Sequence, residues 1–418
     1  MALRDAGRTG RRIGRAACAV AALLIAAACA PEEPPPPAET RLLLEPAAFS
    51  DLPGWNDDRT AEALPALLRS CGRLLRQPAD RPVGPDGLAG TVADWQAPCE
   101  AAAALPAGDH AAARGFFAGM FAPFAVLKAD PQGETDQGLF TGYYEPELDG
   151  SRRPDATFAT PLYRRPVDLV TVDLGEFRAD WTGESIVGRV ADGRLRPYPD
   201  RAAIDAGALD GSAAELIWVA DPVDAFFLQI QGSGRVRLAE GGQIRVGFAA
   251  SNGHPFRGIA RDLIDMGVLP KEDASMQAVR DWLRANPDQA SALMQKNPRY
   301  IFFREITGPD AEANGPLGAQ SVPLTPMRSL AIDPRFLPLG APLWLDTTWP
   351  AGTPENGQPL QRLMIAQDTG GAIKGPIRGD VFWGTGEAAL ERAGGMKQAG
   401  RYFLLLPKPV AERRQTAS

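Results

Sequence analysis

The spacing of apolar positions changes three times along the chain. From Thr60 to about Leu127 it is helical: Leu64, Leu67, Leu68, Cys71, Leu74 and Leu75 share one face of a predicted helix. Asp109 precedes a second apolar run with Phe116, Phe117, Met120 and Phe121, and suits an N-cap because its carboxylate can accept from the first unsatisfied N–H groups. Those aromatics read as core.

From Gly138 to Phe248 the pattern shortens to strands separated by Gly, Pro and Asp. Residues 235–238 alternate, Glu240-Gly241-Gly242 turns, and residues 244–248 alternate again, which predicts a hairpin. The run from Phe226 to Gln231 reads as a preceding strand, with Gln229 and Gln231 on one face and Leu228 and Ile230 on the other. Helices return between Pro255 and Lys296. Ile259, Leu263 and Met266 share a face that Gly267 ends, and Met276, Val279, Trp282 and Leu283 form the next. Asn286-Pro287 opens a third helix, since Pro suits the first helical turn. From Ser321 to Leu406 the chain reads as strands and turns. A strand-rich middle between helical flanks predicts an inserted domain, with the two flanks forming one body.

The N-terminus has a different logic. Arg4, Arg8, Arg11, Arg12 and Arg15 precede an uncharged, Ala-rich run from Ala16 to Ala28, the layout of an export signal. The run is shorter than the ~20 residues that span a bilayer. Ala26, Ala27 and Ala28 lead into Cys29, so residues 1–28 read as signal peptide and Cys29 as a site for a diacylglyceryl group, although Ala26 stands where a lipobox usually has Leu. An ordinary secretory signal is the plainer alternative. Residues 29–40, rich in Pro, form a stiff tether. Ala30 rather than Asp follows the cysteine, which leaves the periplasmic face of the outer membrane as the expected location.

Loss of residues 1–28 removes five Arg and one Asp and moves the formal charge from −7 to −11. So acidic a body is a poor nucleic-acid binder. Cys71 and Cys99 remain, and an oxidising compartment predicts a disulfide between them. His110 and His254 are the only histidines, too few for a His-rich metal site. No Walker motif, metal-ligand cluster or dinucleotide loop occurs, so no cofactor is implied.

The C-terminal third sets three aspartates in distinctive surroundings: Asp333 before Pro334, Asp368 in Gln367-Asp368-Thr369-Gly370-Gly371, and Asp380 in Arg378-Gly379-Asp380-Val381-Phe382-Trp383. Each borders a short apolar strand, where a carboxylate can sit at a barrel mouth. Asp beside Gly or Pro is also a usual turn residue that bonds its own backbone. The three segments together resemble the three-aspartate domain of the membrane-bound lytic murein transglycosylase A family. Gly138-Leu139-Phe140-Thr141-Gly142-Tyr143-Tyr144-Glu145-Pro146, Gln229-Ile230-Gln231-Gly232-Ser233-Gly234 and Phe248-Ala249-Ala250-Ser251-Asn252-Gly253-His254-Pro255 resemble its insert domain.

The resemblance implies a mainly β fold with α additions: a double-psi β-barrel with helices over 41–137 and 252–410, and a second small β-barrel inserted over 138–251. Between them lies a groove for peptidoglycan glycan strands. It also implies cleavage of the β-1,4 bond between N-acetylmuramic acid and N-acetylglucosamine without water, leaving a 1,6-anhydro end. The family's catalytic aspartate maps to Asp380. The loop from Lys374 to Gly379 is slightly longer than in the best-known member, so Asp368 stands as the alternative.

One carboxylic acid suffices if the sugar's own C6 hydroxyl attacks C1, because no bound water then needs a second base, unlike the paired carboxylates of ordinary glycosidases. The acid needs a raised pKa, which apolar surroundings from Val381, Phe382 and Trp383 would provide. Asp368 and Asp333 read as supports. Lys374 suits a lactyl or peptide carboxylate, Tyr143 and Tyr144 suit stacking on sugar rings, and Glu145, Gln229, Gln231 and Ser233 complete the expected substrate-binding set. His254, before a helix start, reads as structural. A hydrolase on the same barrel, with Asp368 activating water, and a non-catalytic wall-binding protein are the rival readings. Exo or endo cleavage, peptide-stem preference and protein partners in wall synthesis or division stay open.

Overall fold

The computed structural model describes residues 40–417, apart from 210, 272, 273 and 309–314. The expected signal peptide, the Cys29 lipid site and the tether through residue 39 lie outside the described residues. The chain enters a first sheet with β1 (Arg41–Pro46), β2 (Phe121–Asp130), β3 (Gly133–Thr135) and β4 (Gly138–Glu145). It crosses into a second with β5 (Glu147–Ser151) and β6 (Thr160–Tyr163), then forms a separate ribbon of β7 (Val170–Asp173), β8 (Ser185–Ala191) and β9 (Arg194–Pro197). It rejoins the second sheet with β10 (Glu215–Val219), β11 (Ser233–Leu238), β12 (Gln243–Ser251) and β13 (Ile301–Ile306). The first sheet is completed by β14 (Ser329–Ala331), β15 (Pro342–Thr348), β16 (Pro359–Asp368), β17 (Arg378–Thr385) and β18 (Lys397–Pro407).

Within the first sheet β18 pairs with β15, β15 with β16, β16 with β14, β14 with β17, β17 with β4, and β4 again with β18. Those six strands close into a ring, which removes the free sheet edges that invite aggregation. The mainly β architecture, a barrel carrying a second body, agrees with expectation. The crossings do not fall at 138 and 251. β4 belongs to the ring through β17, and β13 belongs to the second sheet through β12, so the sheets change over after Glu145 and again after Ile306.

Helices α1 (Leu64–Leu74), α2 (Val92–Ala103) and α3 (His110–Met120) share one core with the ring, centred on Trp55, Trp95, Phe117, Phe121 and Trp344. Leu64, Leu67, Cys71 and Leu74 form the buried face of α1, while Leu68 and Leu75 lie at its exposed edge. Asp109 caps α3 by accepting from the N–H of Ala112 at 2.8 Å. The Cys71–Cys99 disulfide is formed and joins α1 to α2.

The second body adds α4 (Arg201–Asp205), α5 (Pro222–Gln231), α6 (Ala260–Asp265), α7 (Met276–Ala285) and α8 (Pro287–Met294). The segment read as a strand from Phe226 to Gln231 is therefore helical. Asp221 caps α5 through the N–H of Val223, Pro222 takes the first turn, and Gly232 ends the helix at φ +81°. Apolar alternation misled because α5 is buried on two sides. Ala225 and Leu228 face the core of the second sheet, and Val223, Phe226 and Phe227 face a helical core with Leu263, Val279 and Leu283. Ile259 and Leu263 are buried as expected, but Met266 is exposed. The C-terminal third also contains α9 (Glu387–Gly395), within a stretch read as strands and turns; α10 (Lys408–Ala417) follows β18. Gly142 lets α9 approach β4, since a Cβ there would stand 2.8 Å from the Cα of Ala393.

Candidate active site

The ring register brings Asp380 and Asp368 to the same place. In β17, Asp380 pairs with Ala331 of β14 on one side and with Thr141 of β4 on the other. Across β14, Ala331 pairs with Asp368, the last residue of β16. The two aspartates thus flank a small alanine from strands on either side, and all three line one cavity. That cavity adjoins a larger one of about 680 Å³ running between ring loops and the second body, with Gln229, Gln231, Arg299, Asp368 and Gly371 common to both.

Asp380 is only partly accessible. The hydroxyl of Thr141 donates to its Oδ1 at 2.6 Å, and Arg378 Nη2 donates to the same hydroxyl at 2.9 Å. No hydrogen bond reaches Oδ2 from the described residues. Burial raises the carboxyl pKa to about 6, against the opposing pull of Thr141 and Arg378 and with some help from the charge of Asp368. The expected apolar setting holds in part. Strand alternation places Phe382 on the same side as Asp380, where its ring meets Tyr143 at 5.3 Å. Val381 and Trp383 instead belong to the barrel core on the opposite face.

Asp368 is held differently. Its Oδ1 accepts from the N–H groups of Ala319 and Thr369, both at 2.9 Å, and its Oδ2 accepts from the Tyr143 hydroxyl at 2.8 Å. Burial raises its pKa and those three donors oppose the rise. Asp333 is 1% exposed and tied to the Arg335 side chain and to the N–H of Gly375. Burial alone would raise its pKa, but these partners outweigh burial and lower it. It fastens a turn to the loop that follows Asp368 and stands apart from the cavity around Asp380.

The remaining expected residues divide. Tyr143 lines the cavity. Tyr144 does not suit stacking on a sugar: it is 3% exposed, its hydroxyl accepts from Arg280 at 2.7 Å, and the next position on the strand has turned it inward. Glu145 is fully buried and shared by Arg235 at 3.0 Å and Arg245 at 2.7 Å, with the Thr385 hydroxyl also donating to it. It is a structural anion between the two sheets and offers nothing to a ligand. Gln229 lies on α5, buried, and accepts from Arg201 and from the N–H of Ile301. Gln231 lines both cavities while its Oε1 accepts from the N–H of Tyr144. Ser233 and the exposed Lys374 line the larger cavity. His254 bonds the carbonyl of Tyr198 at 2.7 Å, a structural contact.

Thr141 and Arg378 lie inside segments that sequence reading had marked, yet had no assigned role. The parallel pairing of β4 with β17 gives them one, and that pairing joins positions more than two hundred residues apart. Among the described residues no group of three or more His, Cys, Asp or Glu side chains could hold a metal ion.

Residues 139–304 match the MltA specific insert domain and residues 328–406 match the 3D domain. The chain is 32% identical over 296 residues to membrane-bound lytic murein transglycosylase A of Vibrio cholerae, covering 68% of this chain and 70% of that one. Its fold is similar to the crystal structure of a membrane-bound lytic murein transglycosylase from Agrobacterium tumefaciens, with TM-score 0.75 and 34% identity over 88% of this chain and 99% of that one. It is also similar to Escherichia coli MltA with bound chitohexaose, with TM-score 0.61 and 28% identity over 89% and 95% of the two chains.

Proposed function

This chain belongs to the membrane-bound lytic murein transglycosylase A family, and from that premise we propose that it cleaves peptidoglycan at the β-1,4 bond between N-acetylmuramic acid and N-acetylglucosamine with a single catalytic acid, Asp380. The observation that carries this reading is the asymmetry between the two cavity carboxylates. Asp380 keeps Oδ2 clear of protein donors and has a pKa of about 6, so a proton resides there under mildly acidic conditions. Asp368 has both oxygens engaged by three donors and is poorly suited to shuttling a proton.

The protonated Oδ2 donates to the bridging oxygen, the C1–O bond breaks, and positive charge builds on C1 and the ring oxygen. The carboxylate then takes the proton of the C6 hydroxyl as that oxygen bonds to C1. The products are an N-acetylglucosamine end and a 1,6-anhydromuramoyl end, and Asp380 returns to its acid form with no water consumed. Thr141 and Arg378 steady the carboxylate while it is charged, and Asp368, through Tyr143, fixes the aromatic wall beside it. We further place the enzyme at the periplasmic face of the outer membrane through lipid on Cys29, which membrane fractionation of wild type and Cys29→Ala tests. The catalytic reading is tested by mass spectrometry of peptidoglycan digests made with wild type and Asp380→Ala. Anhydro-muropeptides from the parent alone support it. Reducing-end products would point to a hydrolase, and anhydro products surviving the substitution would move the acid to Asp368.

A further inference from the structure

The large cavity beside the two aspartates carries more positive charge than a neutral sugar chain requires. Five of its lining residues are cationic, Arg245, Arg299, Arg304, Arg335 and Lys374, against two carboxylates, Asp333 and Asp368. Two have structural duties, Arg245 with Glu145 and Arg335 with Asp333. Arg299, Arg304 and Lys374 have no ion pair among the described residues. Among the described residues the Arg299 guanidinium donates only to the carbonyl of His254, at 3.3 Å, and that of Arg304 only to the carbonyl of Phe248, at 3.4 Å.

This arrangement stands out because the protein as a whole is acidic, with a formal charge of −7. Half-burying a guanidinium without a carboxylate is unfavourable, and burial lowers the pKa of Arg299 accordingly. The side chain is nevertheless held over the backbone of the loop after Asp368, with its central carbon 3.4 Å from where a Cβ on Gly371 would stand. Arg299 and Arg304 come from the second body, Lys374 from the ring loop, and all three face one cavity. Three unneutralised cations around one space are complementary to an anion that arrives with the ligand.

We propose that this cavity receives the carboxylates of the peptide stem attached to the muramic acid next to the cleaved bond, with Arg299 the principal specificity-determining residue and Arg304 and Lys374 in support. The proposal rests on the reading of the site as a peptidoglycan lyase and adds its substrate preference: stem-bearing glycan over stripped glycan, with charge rather than bulk as the discriminating feature.

The test uses the mature protein and three soluble glycan substrates: strands with their peptide stems, strands stripped of stems by an amidase with the lactyl carboxylates so released converted to amides, and strands whose stem carboxylates have been converted to amides. Anhydro-product formation gives kcat/KM on each. Wild type should favour stem-bearing strands about tenfold over both others, the scale of one charge-assisted hydrogen-bonded contact. Arg299→Gln should lose that preference, its kcat/KM falling about tenfold further on stem-bearing strands than on stripped ones, and Arg299→Lys should retain part of it. Arg304→Gln, at an exposed position, should reduce the preference even if the Arg299 variants fold poorly. Equal wild-type rates on charged and amidated stems would overturn the proposal, as would Arg299→Gln and Arg304→Gln lowering all three rates alike. Absence of anhydro product from every substrate with wild type would instead overturn the catalytic reading beneath it.

Discussion

Replacing Asp380 with asparagine is expected to abolish turnover and, at neutral pH, to stabilise the fold. Burial holds the carboxyl pKa near 6 in the folded protein, against 3.8 when unperturbed. Between those values the native state binds more protons than the unfolded chain, so stability falls as pH rises through the window. Above it the carboxylate is charged in both states and the whole penalty is present; below it the group is neutral in both and the penalty vanishes. Two pH units correspond to about 3 kcal/mol, and the partial access of the carboxyl to the cavity reduces this to roughly 1–2 kcal/mol. Asparagine keeps an oxygen that can accept from Thr141 and never carries the charge. Urea unfolding of both proteins at about pH 7.5 and about pH 3.5 measures the difference. The variant should be more stable at the higher pH and equal to wild type at the lower. No gain at the higher pH, or the same gain at both, would refute the claim that Asp380 is strained by its charge.

Thr141→Val removes the donor to Asp380 Oδ1 while preserving shape, so the carboxylate loses support and the pKa rises further. The alkaline limb of the kcat/KM profile should move up by about one unit, the worth of one hydrogen bond to a charged group; an unmoved limb would discount the contact. Glu145→Ala removes a buried anion shared by two arginines and should destabilise by about 3–5 kcal/mol in chemical denaturation; a loss below about 1 kcal/mol would make the pair no better than a surface one. Reducing the Cys71–Cys99 bond, which spans 28 residues, should cost about 3–4 kcal/mol by loop entropy. Comparing unfolding midpoints with and without reductant checks this, the Cys71→Ser/Cys99→Ser double variant serving as the control that reductant should not affect.

What the sequence disclosed follows how local each feature is. The Asp109 cap, the hairpin of β11 and β12 and the start of α8 at Pro287 each depend on a few neighbouring residues, and each was legible. The segment from Phe226 to Gln231 was misread because six alternating residues fit a strand and a doubly buried helix equally well. Asp221-Pro222 before it and Gly232 after it were the available corrective signals. The three aspartates stood out, but their separate duties did not. Ala331 between Asp368 and Asp380, and Thr141 against Asp380, are products of strand register across the closed ring. Tyr144 and Glu145 sat in a segment whose polar residues looked ligand-facing; the pleat and Arg280 of α7 show the first turned inward, and the two arginines from β11 and β12 show the second buried between the sheets.

β4 has a mechanical consequence. One stretch of pleated backbone presents Thr141 to the acid, Tyr143 to the neighbouring aspartate, and Glu145 to the buried arginines of the other sheet, before the chain crosses over at Pro146. The strand is hydrogen-bonded to β17 on one side and to β18 on the other. The residue that holds Asp380 and the residue that locks the second sheet thus lie on one strand of the ring, so a substitution that displaces β4 disturbs the acid and the junction between the sheets together.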